Sequence, residues 1–431
     1  MIRIKPEPEN QLLCPKCFQK SLLKEIVIQS TFPMADCFCE NCDFEFYQTL
    51  PIGHTLVDTL SIDKSDNKLY PRDTKKSWLT DALLKACHRE KQSKVSIKKV
   101  IYKKHDHVVV LSALDYLYGH VLLKLYNSIY HLENHKDLGL IIIIPKSFEW
   151  LIPSNCAEVW VVDLALSDLK YSHSFIQKFV SAEFERFKTI YISRSFSHPD
   201  FSTIDISRFT GVKPFDMAKF TQAQPTFTFV LREDRWWLPS TLDYWFYRLC
   251  RKFRILKIGS RLLALRQNTL VMRTISFIQK KIPDAKFHAV GLGTTGNFKG
   301  YAHDDRKSVI NDTVERDWCK IYGRSHVVVG VHGSNMLLPT AHAAGCVEIL
   351  PEDRFGNMVQ DISVRYSDRK QLYFYRFAEQ YASPRTVANK VISMVENFEI
   401  FERNMSTNVY QPKQESQQTV GSLKDDIYAI R

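Results

Sequence analysis

The stretch that decides the fold is residues 327–351, which read VVVGVHGSNMLLPTAHAAGCVEILP. The apolar run VVVGV is typical of a buried strand. It leads into His332-Gly333-Ser334-Asn335, after which the chain turns directly into a predicted helix that ends at Gly345. A strand that holds Glu348 follows. A strand, a helix and a second strand in this order predict a βαβ unit within a parallel sheet.

The same alternation of short apolar runs and helix-period segments extends along the chain from about residue 106. Strands are predicted at residues 107–111 (HVVVL), 138–144 (LGLIIII), 158–162 (EVWVV), 189–192, 226–231 (TFTFVL), 286–290, 326–331 and 347–350. Helices are predicted at 118–132, 175–187, 312–322 and 335–344, with two more around 271–282 and 384–398. The pattern predicts an α/β fold with two Rossmann-like, doubly wound domains that face a cleft.

A chain of 431 residues is too long for one ordinary hydrophobic core. We expect a small cysteine-rich module at residues 1–50, a connecting segment at 51–105 and a polar tail at 404–431. The two Rossmann-like domains are expected at 106–220 and 221–403. Open parallel sheets bind ligands beyond the carboxyl ends of their strands, so the site is expected between these two domains.

The composition is that of a globular protein, with 45% hydrophobic and 25% charged residues. No apolar run approaches the roughly 18 residues that a membrane helix needs, and the first residues lack a signal-peptide core, so we expect a cytoplasmic protein. The net charge of +12 predicts attraction to polyanions such as nucleic acid, anionic lipid or a phosphorylated substrate. Cations are concentrated in two groups: Lys91, Lys94, Lys98, Lys99, Lys103 and Lys104, and then Arg248, Arg251, Lys252, Arg254, Lys257 and Arg261. For the first group, a solvated face and a phosphate-binding role both remain open.

Two C-x2-C pairs stand near the start of the chain, Cys14-Pro-Lys-Cys17 and Cys39-Glu-Asn-Cys42, with 21 residues between them. Four thiolates in this pattern are typical of a closed tetrahedral zinc site of the zinc-ribbon kind. We therefore expect Cys14, Cys17, Cys39 and Cys42 to hold structural zinc, with strands at 22–28 and 44–47 paired beside it. Cys37 can replace Cys39 in this set, and a redox-active pair is the alternative to a metal.

The HGSN turn carries chemistry that suits phosphate. Gly333 permits a ligand to approach the backbone closely, and Ser334 or Asn335 can cap the predicted helix, whose N-terminus attracts anions. A diphosphate fits such a turn. Residues 291–296, GLGTTG, match the dinucleotide fingerprint in their letters, but no helix is predicted directly after them, so we expect a cleft loop there.

The order of a strand, GVHGSN, a helix and VEILP resembles the donor-site segment of glycosyltransferase family 61, whose members read G-V-H-G-A-G and later V-V-E-I-x-P. The resemblance covers about residues 180–355. It implies an inverting enzyme of the two-domain GT-B architecture that uses a nucleotide-sugar donor. His332 and Gly333 would lie against the donor's phosphates or ribose, and Glu348 would lie near the nucleotide. Ser334-Asn335 departs from the small residue and glycine of the family.

Cations follow the strand predicted at 226–231, in the sequence Arg232-Glu-Asp-Arg235-Trp-Trp. The planar guanidinium binds two phosphate oxygens at once and can stabilise the charge on a departing nucleoside diphosphate. Arg232 is the first candidate for this role and Arg194 is the second, and an internal pair between arginine and an adjacent acid is the alternative. The predicted donor-binding set is Arg194, Arg232, Arg235, His332, Gly333, Ser334, Asn335 and Glu348.

An inverting transfer needs a group that removes the proton from the acceptor hydroxyl. We expect this base in the domain opposite the donor, on the loop after residues 107–111. Asp115 and His120 lie on that segment, and Asp163, at the end of the strand 158–162, is the reserve candidate. Asp115 can instead cap the following helix, and His120 can pack inside it.

These residues predict transfer of a sugar from a nucleotide-activated donor to a hydroxyl of a saccharide or protein acceptor. No D-x-D triplet stands at the end of a predicted cleft strand, so the transfer is expected to need no metal at the donor site. Two alternatives remain open: a zinc-ribbon nucleic-acid-binding protein and another nucleotide-using α/β transferase. Few cations interleave with the aromatic residues of the cysteine-rich module, which argues against nucleic acid.

Overall fold

The computed structural model describes residues 1–8, 12–56, 59–71, 77–91, 94–253, 255–366 and 369–405. Most of the predicted tail, and Arg254 of the second cation group, lie outside these ranges. The fold is α/β, as predicted, and the described strands form three sheets. Within the same ranges, no helix has both the length and the apolar character needed to cross a membrane.

The cysteine-rich module is a five-stranded antiparallel sheet. After β1 (Ile2–Lys5), which belongs to another sheet, its strands are β2 (Leu22–Val27), β3 (Met34–Cys39), β4 (Phe44–Thr49), β5 (Ser61–Asp63) and β6 (Leu69–Tyr70), followed by α1 (Trp78–His88). The predicted pairing of residues 22–28 with 44–47 is wrong, because β3 lies between β2 and β4 and pairs with both. β3 reads MADCFC and has no β-branched residue, so its composition does not predict a strand.

The first large sheet has the strand order β1-β11-β8-β9-β10-β7. Its further elements are β7 (Ser96–Ile101), β8 (His107–Ser112), α2 (Tyr118–Asn134), β9 (Gly139–Pro145), β10 (Glu158–Asp163), α3 (Ser174–Phe184), β11 (Thr189–Ile192) and α4 (Ser207–Thr210). Its four central strands are parallel, and β1 and β7 are antiparallel edges. The segment 51–105, predicted as a connection, therefore contributes β7 to this sheet as well as β5 and β6 to the small one.

The second large sheet is parallel throughout, in the order β14-β13-β12-β15-β16-β17. Its strands are β12 (Thr226–Arg232), β13 (Lys286–Leu292), β14 (His303–Asp304), β15 (Val327–Val331), β16 (Gly345–Leu350) and β17 (Tyr375–Glu379). Its helices are α5 (Thr241–Lys252), α6 (Leu256–Lys281), α7 (Asp312–Tyr322), α8 (Leu337–His342), α9 (Arg369–Phe374), α10 (Pro384–Glu396) and α11 (Phe398–Met405). Counted from β12, the strand order is the 3-2-1-4-5-6 of the Rossmann fold.

The helix predicted at 335–344 is shorter than expected. A 3-10 turn at Ser334–Met336 precedes α8, and the helix ends at His342. The cause lies in the sheet, because the N–H groups of Ala344 and Gly345 already donate to the carbonyls of Ser325 and His326. The chain must therefore leave the helix before Ala344 to start β16.

In each large sheet the chain adds strands first on one side of a central strand and then on its other side, which creates a topological switch point. In the second sheet this switch point lies between β12 and β15, and in the first it lies between β8 and β11. A crevice opens beyond the carboxyl ends of the strands at such a point, and α/β proteins bind ligands there. The two crevices are close to each other, because an added Cβ on Gly119 of α2 would lie 2.8 Å from Ser334 Cβ.

A buried carboxylate on β10 offers a test of the first sheet. Glu158 accepts hydrogen bonds from both Nη atoms of Arg186, at 3.0 and 2.6 Å, and from the Trp160 indole at 3.0 Å. Arg186→Ala leaves a buried charge with one donor, so we expect a lower urea midpoint, equivalent to about 2 kcal/mol. Lys188→Ala removes an exposed ion pair with Asp106 and is the matched control. Equal midpoints for the two variants would contradict this account.

Candidate functional site

The HGSN turn is built around Gly333, whose φ of 149° lies in the region that favours glycine. The guanidinium of Arg235 fills the space that a side chain would need, because an added Cβ at Gly333 would lie 1.0 Å from Arg235 Nη1. Arg235 Nη1 also donates to the His332 carbonyl at 2.6 Å. The loops after β12 and β15 are therefore in direct contact at the switch point of the second sheet.

His332 lies buried between two carboxylates. Its Nδ1 is 3.2 Å from Glu348 Oε2, and its Nε2 is 3.3 Å from Asp361 Oδ2. These contacts are too bent for hydrogen bonds, so both Glu348 carboxylate oxygens lack a donor among the described residues. Burial raises the pKa of Glu348, and His332 offsets part of that rise. A buried acid–histidine contact of this kind beside a crevice marks His332 and Glu348 as candidate site residues.

The three predicted arginines have different surroundings. Arg232 forms a bidentate pair with Asp234, with Nε–Oδ1 and Nη2–Oδ2 distances of 2.7 Å. This is the internal arginine–acid pair that the sequence left open. Arg194 has an exposed side chain, and its carbonyl accepts a hydrogen bond from Gly53. Arg235 is the arginine that touches the HGSN turn, and it forms no salt bridge with any described residue.

A cavity of about 270 Å³ opens at the carboxyl ends of β12 and β13. Its lining is largely apolar, and its polar groups include Arg232, Ser334, Asn335, Glu315 and Tyr118. The hydroxyl of Tyr118, on α2, donates to Glu315, on α7. Burial raises the pKa of Glu315 to about 7. An apolar recess with a few converging polar groups is the usual form of a small-molecule site.

Asp115 is fully buried behind the loop that follows β8. Its Oδ2 lies 2.9 Å from Lys124 Nζ, and its Oδ1 lies 3.4 Å from His120 Nδ1. Oδ1 also accepts the Leu117 N–H at 3.0 Å, an Asx-turn bond just before α2, whose N-cap is Leu117 rather than Asp115. Burial alone would raise the pKa of Asp115, but Lys124 and His120 outweigh it and hold that pKa below its ordinary value. Asp115 is therefore an anion that orients His120 and is itself out of reach of a ligand.

Two histidines that the sequence analysis missed extend this cluster. The ring centroid of His54 lies 4.1 Å from that of His120 and 6.3 Å from that of His198. Burial lowers the pKa of His54 to about 3, so its ring is neutral at physiological pH. His54 and His198 line a cleft of about 1020 Å³, which is also lined by residues 355–360 after β16. His54 fell in the predicted connection and His198 in a loop, and only their residue type could have drawn attention to them.

Asp361 connects the two clusters electrostatically. It contacts His332. Burial lowers the pKa of His198, and the charge of Asp361 offsets a part of that decrease.

Asp163 lies apart, half-exposed and paired with Lys146 at 2.6 Å. The loop predicted at 291–296 begins within β13, because Gly291 and Leu292 are still paired with β12. Gly291 has a φ of 117°, and an added Cβ there would lie 1.9 Å from the Leu231 carbonyl oxygen. That glycine serves the close packing of β12 and β13, and no helix follows the loop directly.

The four predicted cysteine ligands converge beside the small sheet. The sulfur atoms of Cys14, Cys17, Cys39 and Cys42 all lie within 4.8 Å of one another, with Cys14–Cys42 at 3.6 Å and Cys17–Cys39 at 3.4 Å. A tetrahedral zinc site with Zn–S bonds of about 2.3 Å needs sulfur separations of about 3.8 Å, so this group can hold zinc. Cys37 is not part of the group: it is buried, and its thiol donates to the Ala35 carbonyl.

Comparisons with known proteins give little further information. No protein-family model matches the sequence, and no curated protein matches it. Among solved structures, the chain is similar to the crystal structure of TarM with 11% sequence identity, over 94% of this chain and 78% of that chain. The TM-score is 0.20, which does not establish a common fold.

The cysteine group leads to a direct test. We expect Cys14→Ser or Cys42→Ser to release about one zinc per chain and to destabilise the small sheet, because the metal would join the Cys14–Cys17 segment to the turn between β3 and β4. Cys37→Ser is the matched control, a buried cysteine on the same sheet that should keep the zinc. Metal analysis of the purified full chain by mass spectrometry gives the stoichiometry. Wild-type protein without zinc, or equal loss from the Cys37 variant, would refute this assignment.

Proposed function

We propose that this chain transfers a sugar from a nucleotide-activated donor to a hydroxyl acceptor. The contact between Arg235 and Gly333 carries the proposal. It brings a guanidinium to the HGSN turn, at the switch point of a parallel sheet, where nucleotide phosphates commonly bind. The resemblance of GVHGSN and VEILP to glycosyltransferase family 61 supports the same chemistry.

The donor fits the recess on the second sheet. The cavity beside Tyr118 and Glu315 has the volume for a nucleoside, and Ser334 and Asn335 line its edge toward Arg235. The diphosphate would lie along that edge, and Arg235 would stabilise its charge as it departs. Arg235 thus takes the role that the sequence assigned first to Arg232, whose fork is already occupied by Asp234.

His332 and Glu348 support the proposed donor site from the protein interior. His332 is almost wholly buried, and its backbone carbonyl accepts the hydrogen bond from Arg235. Its role in the proposal is therefore to position Gly333 and Arg235. Glu348 holds the other side of the His332 ring, within ion-pair distance.

The acceptor fits the larger cleft, where His54 and His198 form part of the wall. Because Asp115 faces His120 Nδ1, the Nε2 atom of His120 is the one left to receive a proton. In the proposed step His120 Nε2 accepts the acceptor hydroxyl proton, and the neutral His54 ring packs beside it. The oxygen forms the new glycosidic bond while the bond to the diphosphate breaks, and the diphosphate leaves with that electron pair. The exposed pair of Asp163 with Lys146 takes no part.

The finer features follow from the resemblance and stay proposals. They are inversion of the anomeric centre and a GT-B arrangement with the donor held by residues 221–403 and the acceptor by 106–220. That the donor site needs no metal, expected because no D-x-D triplet follows a predicted cleft strand, also stays a proposal. The domain limits at 50, 105, 220 and 403 and the cytoplasmic location also stay predictions. The cysteine group would have a structural role in this arrangement.

The donor site is tested by nucleotide binding. We expect wild-type protein to bind at least one of UDP, GDP, ADP and CDP in calorimetry. Arg235→Ala should weaken that binding roughly 10- to 100-fold, because it removes a charge-assisted, two-point contact with phosphate. Arg235→Lys keeps the positive charge but loses the planar guanidinium, so its affinity for the nucleotide should lie between those of the wild type and Arg235→Ala.

Arg273→Ala, an exposed arginine on α6, is the matched control for this experiment and should bind as the wild type does. Thermal unfolding of each variant separates lost binding from lost folding. A wild type that binds none of the four nucleotides, or an Arg235→Ala variant with unchanged affinity, would remove the donor site from this loop.

The proposed base is tested by turnover with the donor sugar of whichever nucleotide binds. We expect His120→Asn to keep the affinity for the nucleoside diphosphate but to lose transfer by roughly 100-fold or more. His107→Asn changes an exposed histidine on β8 in the same domain and should leave turnover unchanged. If His120→Asn transfers sugar at a near wild-type rate, the base lies elsewhere in the cleft.

A further inference from the structure

Helix α5 presents an apolar stripe to solvent. Leu242, Trp245, Phe246 and Leu249 are exposed by 78, 58, 37 and 49%, and Phe253, one residue past the helix, by 64%. Their spacing of three and four residues places them on one side of the helix. A surface helix normally turns such a stripe toward the core, and an exposed apolar patch of this kind marks an interaction site.

The opposite side of α5 fixes the helix in this orientation. Asp243 forms an ion pair with Arg266 of α6. Cys250 packs so closely on α6 that an added Cβ at Gly259 would lie 2.5 Å from its sulfur. The ring of Tyr247 packs against that of Trp236, with 5.5 Å between the ring centroids. Because these contacts already occupy the inward side, the apolar stripe cannot turn toward the core.

The adjacent helix α6 also has exposed leucines, Leu262 and Leu265, which are exposed by 46 and 43%. We refer to the whole surface as the α5–α6 face. Its apolar members are Leu242, Trp245, Phe246, Leu249, Phe253, Leu262 and Leu265.

The charged residues in the segment that forms this face, from residue 244 onward, are all positive. Residues 244–283 contain ten lysines and arginines and no aspartate or glutamate. Arg248, Arg251, Lys252 and Arg261 are exposed beside the apolar residues. The Arg248 guanidinium lies 5.2 Å from the centre of the Trp245 ring. These four cations, all members of the second cation group of the sequence, thus flank an apolar surface.

We propose that the α5–α6 face binds the surface of an anionic lipid bilayer. Tryptophan, phenylalanine and leucine would enter the boundary between headgroups and acyl chains, and the flanking cations would contact lipid phosphates. Long arginine and lysine stems reach from an apolar boundary to charged headgroups. A second copy of the chain would bring like charges together, and a nucleic acid would leave the leucines without an apolar partner. The combination of apolar stripe and cations therefore fits a membrane surface best.

The test is sedimentation of the full-length protein with lipid vesicles. One set contains phosphatidylcholine alone, and the other contains about one third phosphatidylglycerol. We expect at least about tenfold stronger partitioning onto the anionic vesicles, and we expect about 0.5 M salt to remove most of the difference by screening.

Two pairs of variants identify the surface. Arg251→Ala with Lys252→Ala should lower partitioning about 25-fold, at about fivefold for each cation. Lys103→Ala with Lys104→Ala removes the same charge from an exposed turn and should lower it less. Leu242→Ser, Trp245→Ser and Leu249→Ser together should lower partitioning at least about tenfold. Tyr102→Ser, Val309→Ser and Leu372→Ser, which change three other exposed apolar residues, should have little effect.

All substitutions are at exposed positions, and unchanged thermal unfolding confirms that each variant is folded. Absence of binding to anionic vesicles would overturn the proposal, as would equal losses in the variants and their matched controls. Concentration-dependent dimers that the apolar triple variant abolishes, without vesicle binding, would assign the face to a second copy. Binding of RNA by the full chain without vesicle binding would likewise overturn the lipid assignment.

Discussion

The organisation of the candidate site depends on one steric constraint, the exclusion of any side chain at residue 333 by Arg235. The guanidinium occupies the volume of the missing Cβ and donates to the preceding carbonyl, so it holds the loop after β12 against the loop after β15. These strands lie on either side of the switch point of the second sheet. The crevice that the topology opens there is thereby given a fixed cation.

Two groups of buried charged residues accompany the contact between Arg235 and Gly333. His332 is packed between Glu348 and Asp361, and Asp115 is packed between Lys124 and His120. Buried charges are costly to desolvate, and fold stability alone favours apolar residues at such positions. The described structure has two such buried groups of acids and histidines, one near each switch point. Buried ionisable clusters of this kind are more frequent at functional sites than elsewhere.

Local patterns in the sequence predicted the parallel strands well, because β8, β9 and β15 are buried on both faces and read as continuous apolar runs. They did not predict β3, which reads MADCFC and has no β-branched residue, or β7, an edge strand with lysines. The residues of the candidate site likewise divide into those that local sequence patterns indicate and those that only tertiary packing brings together. HGSN and Asp115 stand beside strong strand signals. His54 joins His120 only through tertiary packing, and the choice of Asp234 as the partner of Arg232 depends on side-chain geometry that a letter sequence does not contain.

The donor loop and the exposed helix belong to one rigid connection. Arg235 and the start of α5 at Thr241 are six residues apart, and Trp237 anchors the link between them. The Trp237 N–H donates to Gln267 of α6 at 2.8 Å, and its indole donates to the Ala382 carbonyl at 3.0 Å. Because this tryptophan is almost fully buried, the link has little freedom to bend. A partner bound at the α5–α6 face would therefore also restrict the orientation of the Arg235 loop, because both are joined through the anchored Trp237.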